Sequence, residues 1–208
     1  MQYIKMNGSC IRMGVTVSPM SLVRPAEPRM RRDAIRNRER VLAAGRAALE
    51  AGESIQLNEI ARAAGVGVGT VYRHFPATGD LLEAIVTDKL EILVAEAQDA
   101  TSLADPGTAL EEFITRSIQL QSMDATLATI LAATADALPT TTKLKASLAR
   151  TVERLIERAR EVHSVRDDLR SAELRDLVSG IAYANRLSGV TAASTKRYLD
   201  IVLRGIRA

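Results

Sequence analysis

Apolar residues recur along this chain every three or four positions and scarcely ever on alternate ones, which predicts helices throughout and no sheet. The first sustained stripe, Arg32 to Ala51, repeats Ile35, Leu42 and Leu49 at heptad spacing, with Val41, Ala44 and Ala48 widening it, and Gly52 ends it. After a connector anchored by Ile55, two short pieces follow. Leu57, Ile60, Ala61 and Ala64 form the first, closed by Gly65 where a left-handed residue is wanted. Val68 to His74 forms the second, and Pro76 stops it because proline has no N–H and restricts its predecessor. Gly79 to about Asp99 is a long amphipathic helix with Leu82, Ile85, Val86, Leu90, Leu93 and Val94 on one side. The Thr78 hydroxyl is expected to cap it, with Asp80 favourable in its first turn. Asp105-Pro106 marks a helix start, an N-cap followed by proline at N1.

The pattern then predicts helices over 106–122 and 124–137, a break at Leu138-Pro139, and a helix from Thr140 to Val162. Leu144, Leu148, Val152, Leu155, Ile156 and Ala159 are its inward residues. Arg150, Arg154 and Arg158 interleave with Glu153, Glu157 and Glu161 and read as a salt-bridged solvent face. A loop from His163 to Arg170 precedes two closing helices, Ser171 to Ser188 and about Thr195 to Arg207. The adjacent acids Asp167 and Asp168 in that loop read as solvated rather than catalytic. Met1 to Pro28 mixes Gly and Pro with no sustained period. It reads as a disordered tail, or as sequence upstream of a start at Met20 or Met30, and otherwise as a basic arm using Arg24, Arg29, Arg31 and Arg32.

Composition narrows the chemistry. Hydrophobic residues make up 47% of the chain but aromatics only 3%, which again favours helices over sheet. With Cys10 the single cysteine and His74 and His163 the only histidines, neither a disulfide framework nor a metal site is expected, and no cofactor. There is no HExxH, no Glu-x-x-His pair, no nucleophile elbow and no phosphate loop, so no catalytic residues are expected and the chain is read as a non-enzyme. No apolar run reaches the ~20 residues that span a bilayer. No apolar core of a signal peptide follows Lys5 and Arg12, so the expected place is the cytoplasm, with no membrane partner. Charge is uneven: Arg29 to Arg73 holds nine basic residues against five acidic, whereas His74 onward holds 16 against 19. A basic N-terminal third on a slightly acidic body suggests a polyanion bound at one end.

Helix, glycine turn, helix over Leu57–His74 is the helix-turn-helix arrangement, in which the second helix lies in the major groove of DNA. The shape alone is common. Ile60 to Pro76, IARAAGVGVGTVYRHFP, is more specific and closely resembles the DNA-binding signature of the tetracycline-repressor (TetR) family of bacterial transcription regulators. The motif resemblance covers about Arg32 to Leu90. Beyond it the match is one of helix number, helix length and the paired C-terminal helices.

The resemblance implies an all-α fold. A helix-turn-helix DNA-binding domain over 30–78 is joined by the long helix to a ligand-binding and dimerisation domain over 79–208, with residues 1–29 a tail. It also implies a set of DNA contacts. Gly67 and Gly69 carry no side chain and let the backbone approach the duplex. Thr70 can hydrogen-bond a base edge or set its methyl against a thymine methyl. Tyr72 and His74 can donate to phosphate, and Arg73 carries the most plausible bidentate contact, to guanine or phosphate. Phe75 matches the buried aromatic that locks the motif; Val68 and Val71 read as core or apolar edge contacts. Arg32 and Arg36, on the supporting helix, stand as phosphate contacts against the plain alternative of a solvated face. Two positions depart from the family pattern. Gly67 stands where Ser or a similar residue is usual. Thr78 stands where Lys or Arg usually holds a phosphate, which predicts a salt dependence weaker by about one counterion per subunit.

For the C-terminal half, the resemblance implies a small-molecule pocket among the central helices. Phe113, Arg116, Leu120, Met123, Leu127, Leu131 and Tyr183 are its candidate lining, and ordinary core packing is the competing reading of each apolar one. Arg116 and Gln119 would be telling if buried. Leu174, Leu177, Val178, Ile181, Asn185, Tyr198, Val202 and Ile206 stripe the last two helices and are the candidate interface of a homodimer, built as a four-helix bundle. The function so implied is that of a ligand-responsive repressor binding a palindromic DNA operator as a homodimer, its effector unidentified. The alternatives are a DNA-binding regulator without a small-molecule ligand, or an activator.

Overall fold

The computed structural model describes residues 28–189 and 191–208. Among the described residues there are nine helices and no strand: α1 Pro28–Glu50, α2 Leu57–Ala64, α3 Val68–His74, α4 Thr78–Ala100, α5 Pro106–Met123, α6 Ala125–Ala132, α7 Pro139–Glu161, α8 Ser171–Ser188 and α9 Ala192–Ile206. The all-helical class expected from the spacing is what is found. Residues 1–27, with Arg24, lie outside the described residues, as do the side chains of Arg29 and Arg31.

The chain falls into two compact units, Met1–Ile35 and Arg36–Ala208. Of the first, only the opening turns of α1 are described, and there Ile35 is exposed rather than part of a buried stripe. The second holds α2 to α9 and the rest of α1. Burial on α1 begins at Val41 and Leu42, which join one hydrophobic core with α2 to α4. Gly45 sits at the crossing with α4: a Cβ there would lie 2.7 Å from the Ile85 side chain, so glycine sets how closely the two helices approach. Farther along, α4 packs chiefly on α7 and α5 chiefly on α8, with α9 lying on α8 and α5. Leu93, Ile114, Ile118, Leu155 and Ile156, all fully buried, form the centre of this part.

Several helix ends differ from the expected ones. Thr78 is not the cap of α4. Ala77 is, and the Asp80 carboxylate accepts its N–H at 2.8 Å, so Thr78 falls at the first helical position. Helix α6 stops at Ala132 instead of running to 137, because the Lys145 ammonium from α7 takes the carbonyls of Ile130 and Ala133 at 3.0 and 2.6 Å. Helix α9 begins at Ala192, three residues early, capped by the Thr191 hydroxyl accepting the Ser194 N–H at 3.0 Å. Asp105 and Pro106 do start α5 as expected, the carboxylate accepting from the Thr108 N–H at 3.0 Å. The charge run on α7 is not wholly a solvent face. Arg158 donates to the carbonyls of Thr101 and Leu103 at 2.6 and 2.8 Å and so ties down the chain leaving α4.

Candidate functional site

The turn between α2 and α3 follows from Gly65. Its φ of 60° and ψ of 39° are left-handed, the Val66 N–H reaches back to Ala61 O and the Gly65 N–H to Arg62 O, each at 3.0 Å. This is the doubly bonded C-terminal cap that glycine accommodates without strain. Arg40 of α1 donates to Gly65 O at 2.9 Å and fixes the turn against the supporting helix. Leu57, Ile60, Ala61 and Ala64 are buried beneath it, as their spacing predicts.

Helix α3 is held from below by two side chains. Val71 is fully buried and Phe75 nearly so, with the Arg38 guanidinium 5.7 Å from the Phe75 ring centre. Everything else on α3 faces outward to some degree. Gly67, Val68, Gly69, Tyr72 and Arg73 are exposed, and Thr70 and His74 are half-buried. Tyr72 is 44% exposed, and among the described residues neither it nor Arg73 makes a hydrogen bond or ion pair within the chain. Val68 is likewise 44% exposed, so of the two valines only Val71 is core. A Cβ on Gly69 would meet nothing within 4 Å, and one on Gly67 only the Thr70 hydroxyl at 3.8 Å. Neither glycine is demanded by packing. Arg32 and Arg36 are exposed on α1, and Thr78 is half-buried at the first turn of α4.

A second feature lies among α4 to α8: a cavity of about 190 Å³. Its floor is apolar, with Leu93, Phe113, Leu131, Val152 and Val178, while Ser117 and Gln121 supply polar atoms. Lining residues Ala149, Ala172 and Arg175 are exposed and mark its mouth. Of the seven candidates named from the sequence, Phe113 and Leu131 line this cavity. The others do not. Arg116 is at the surface, paired with Glu96 at 2.8 Å, and Gln119 is exposed too. Met123 is 82% and Tyr183 58% exposed; Leu127 is fully buried in the core, and Leu120 packs against that core. The sequence placed the lining too far to the outer side of α5, because a helical stripe fixes the buried face only to within a residue or so. It had no signal for Gln121 and Lys145, polar residues that point inward.

The tetR family of bacterial regulatory proteins matches residues 43–85, and the C-terminal domain of SbtR-like transcriptional regulators matches residues 105–208, half of the chain. The chain belongs to the TetR family. An HTH-type transcriptional regulator of Staphylococcus aureus is 39% identical over 72 residues, covering 33% of this chain and 38% of that protein. The match to that curated relative therefore spans well under half of its length. A TetR transcriptional regulator of Streptomyces coelicolor, known from its crystal structure, covers more: 82% of this chain and 98% of that one, at 29% identity and a TM-score of 0.51. FadR of Bacillus subtilis, solved in complex with stearoyl-CoA, aligns over 81% of this chain and 99% of its own with a TM-score of 0.61; at 16% identity the likeness is one of fold alone.

In this TetR-family chain two polar staples hold the start of α7, one from α4, the helix next to α3, and one to the end of α6. Glu83, on the second turn of α4 and almost fully buried, accepts from the Ala137 and Leu138 N–H groups at 2.6 and 2.7 Å. A buried carboxylate needs such donors, and these two open α7. One turn on, Lys145 binds Asp136 at 2.8 Å together with the end of α6. Among the described residues no group of His, Cys, Asp and Glu is set to hold a metal. Asp168 is instead paired with Arg166, which holds its carboxyl below the usual range. No described helix is long and apolar enough to cross a membrane.

The TetR-family C-terminal helices divide the eight candidate interface residues. Leu174, Val178, Asn185, Val202 and Ile206 are buried within their own subunit. Asn185, fully buried, donates to the Ser122 hydroxyl of α5 at 3.0 Å. Leu177 is exposed, and Ile181 and Tyr198 are half-buried. The stripe was therefore mostly this chain's own core. Of the outward face the spacing singled out only Leu177: exposed Leu177 and Gly180, half-buried Ala184 and exposed Leu187 follow at steps of three and four on α8, beside Tyr183, with Ile201 on α9. Leu187 is 71% and Ile201 59% exposed.

Proposed function

We propose that this TetR-family chain is a homodimeric, ligand-responsive repressor that inserts α3 into successive major grooves of a roughly palindromic operator. The observation that carries the DNA-binding part is the face of α3. Tyr72 and Arg73 stand exposed with no partner among the described residues, on a helix locked from behind by Val71 and Phe75. An exposed arginine beside two glycines, on a rigid short helix, is suited to approach a duplex closely and bond a guanine edge or a phosphate. Val68 adds an apolar edge for a thymine methyl, Thr70 a hydroxyl, His74 a phosphate donor, and Arg32, Arg36 and Thr78 flanking phosphate contacts. The reading unit is residues 30–78 and the regulatory and dimerisation unit is residues 79–208.

Dimerisation is supported by the apolar outward face of α8 and α9. Large contiguous apolar patches are uncommon on monomers, and a two-fold pair would set two α3 helices on one side of a duplex, about 34–36 Å apart. Ligand response is supported by the cavity and by Glu83, which ties α4, the helix that follows the reader, to the start of α7, the helix that gives Lys145, Leu148 and Val152 to the cavity wall. Relatives in fold such as FadR of Bacillus subtilis have been solved with a small molecule bound.

Footprinting and gel-shift on DNA upstream of the chain's own gene test the reading. The expected result is a protected palindrome, bound far more tightly than random DNA. Arg73→Ala should weaken it by a factor of roughly 5 to 150, the value of one good bidentate base contact. Equal affinity for random DNA would sink the proposal.

A further inference from the structure

The cavity wall carries information about what it holds, and the inference rests on reading the cavity as the effector site. Two cations reach it, and both are already matched. Lys145 spends its three protons on the carbonyls of Ile130 and Ala133 and on Asp136. Arg175, at the exposed mouth, directs two donors at Asp176, at 2.8 and 3.0 Å. Neither leaves an uncompensated positive charge facing inward, and among the lining residues there is no Asp or Glu to receive a cation. A charged ligand would give up its hydration with nothing of opposite sign to replace it.

The interior does offer hydrogen bonds. Gln121, almost fully buried, donates one amide proton to Ser117 Oγ at 3.1 Å and accepts from Ser179 Oγ at 3.4 Å. Among the described residues its second amide proton has no acceptor, and neither has the Ser117 hydroxyl, which makes no back-bond to its own helix; Thr115, on the next position but one, does. Two buried donors therefore face a space otherwise bounded by Leu93, Phe113, Leu131 and Val152. An apolar cavity of ~150 Å³ is large enough for benzene. At about 190 Å³ this one suits a single substituted ring, or an aliphatic molecule of like size, and is too small for a coenzyme thioester.

We infer that the cavity takes a compact, uncharged, mainly apolar molecule whose one oxygen accepts hydrogen bonds from Ser117 and Gln121. Four probes share a ring and a methyl group and differ in the polar end: p-cresol, toluene, 4-methylbenzoate and 4-methylbenzylamine. In calorimetric titration of the full chain near neutral pH, p-cresol should bind at least tenfold tighter than either ion, and tighter than toluene. Ser117→Ala should reduce the preference for p-cresol over toluene. Leu148→Trp, at the half-exposed rim, fills the space and should abolish binding of all four. Tighter binding of either ion, equal binding of toluene and p-cresol, or no binding by any probe would overturn the inference. Operator affinity is read separately. Binding of p-cresol that leaves the operator complex intact keeps the ligand class and sinks ligand-responsive repression. Release by other small molecules, with none of the four probes bound, does the reverse.

Discussion

Gly65 and Gly69 lie four residues apart and are glycine for different reasons. Gly65 has a φ of 60°, and a Cβ there would also lie 2.6 Å from the Arg40 guanidinium. Gly65→Ala should therefore cost about 1–2 kcal/mol in denaturant unfolding, through backbone strain and the displaced Arg40 bond. Gly69 is the second residue of α3, with open space where a Cβ would go. Gly69→Ala should stabilise the fold by up to about 1 kcal/mol, as helix propensity dictates. If α3 approaches DNA as proposed, the same change should lower operator affinity, and unchanged affinity would show that this part of α3 stays clear of the duplex. Gly65 is legible in the sequence because it ends an apolar stripe. Gly69 is legible only as a departure from good helix composition, and nothing within 4 Å of its Cβ position requires it.

Among the elements, α6 and α7 owe their ends to distant groups. Asp124 caps α6 by accepting the Leu127 N–H at 2.8 Å, and Lys89 of α4 bonds the same carboxylate. Burial works to raise its pKa, but the bonds from Lys89 and from Leu127 outweigh that and hold it below the ordinary value. A carboxyl depressed in the folded state adds stability above its unfolded pKa of about 3.9, and that stability is lost as pH falls through the folded value. Asp124→Asn keeps a good cap but loses the charge. Its unfolding curve should lie below the parent's at neutral pH and converge with it below about pH 4. A constant gap down to pH 2 would mean that the charge contributes nothing. Glu83→Ala is the companion test. It strands the Ala137 and Leu138 N–H groups, at about 1–3 kcal/mol for each that water fails to reach. Hydrogen exchange should then accelerate at the first turn of α7.

For the whole molecule, assembly is the open variable. Leu177→Glu with Leu187→Glu places charge on the outward face of α8 without touching the buried Leu174 and Val178. Sedimentation should then give a monomer with helical content intact. A parent chain that is already monomeric at micromolar concentration would remove the dimer from the proposal. Helix number, the helix-turn-helix and the family were all legible in the sequence, because each rests on local periodicity or on a contiguous motif. Helix spacing marks a buried face, and Ile60 to Pro76 carries its own turn chemistry. What covers a buried face is a different matter. The stripe on α8 and α9 could face either its own subunit or a partner, and only packing assigned Leu174, Val178 and Val202 to the subunit's own core and left Leu177 and Leu187 outside. In the same way, Glu83, Gln121 and Lys145 look in sequence like ordinary polar positions. Their roles appear only when residues 9 to 58 positions away supply their partners or the cavity between them, and no local rule encodes those distances.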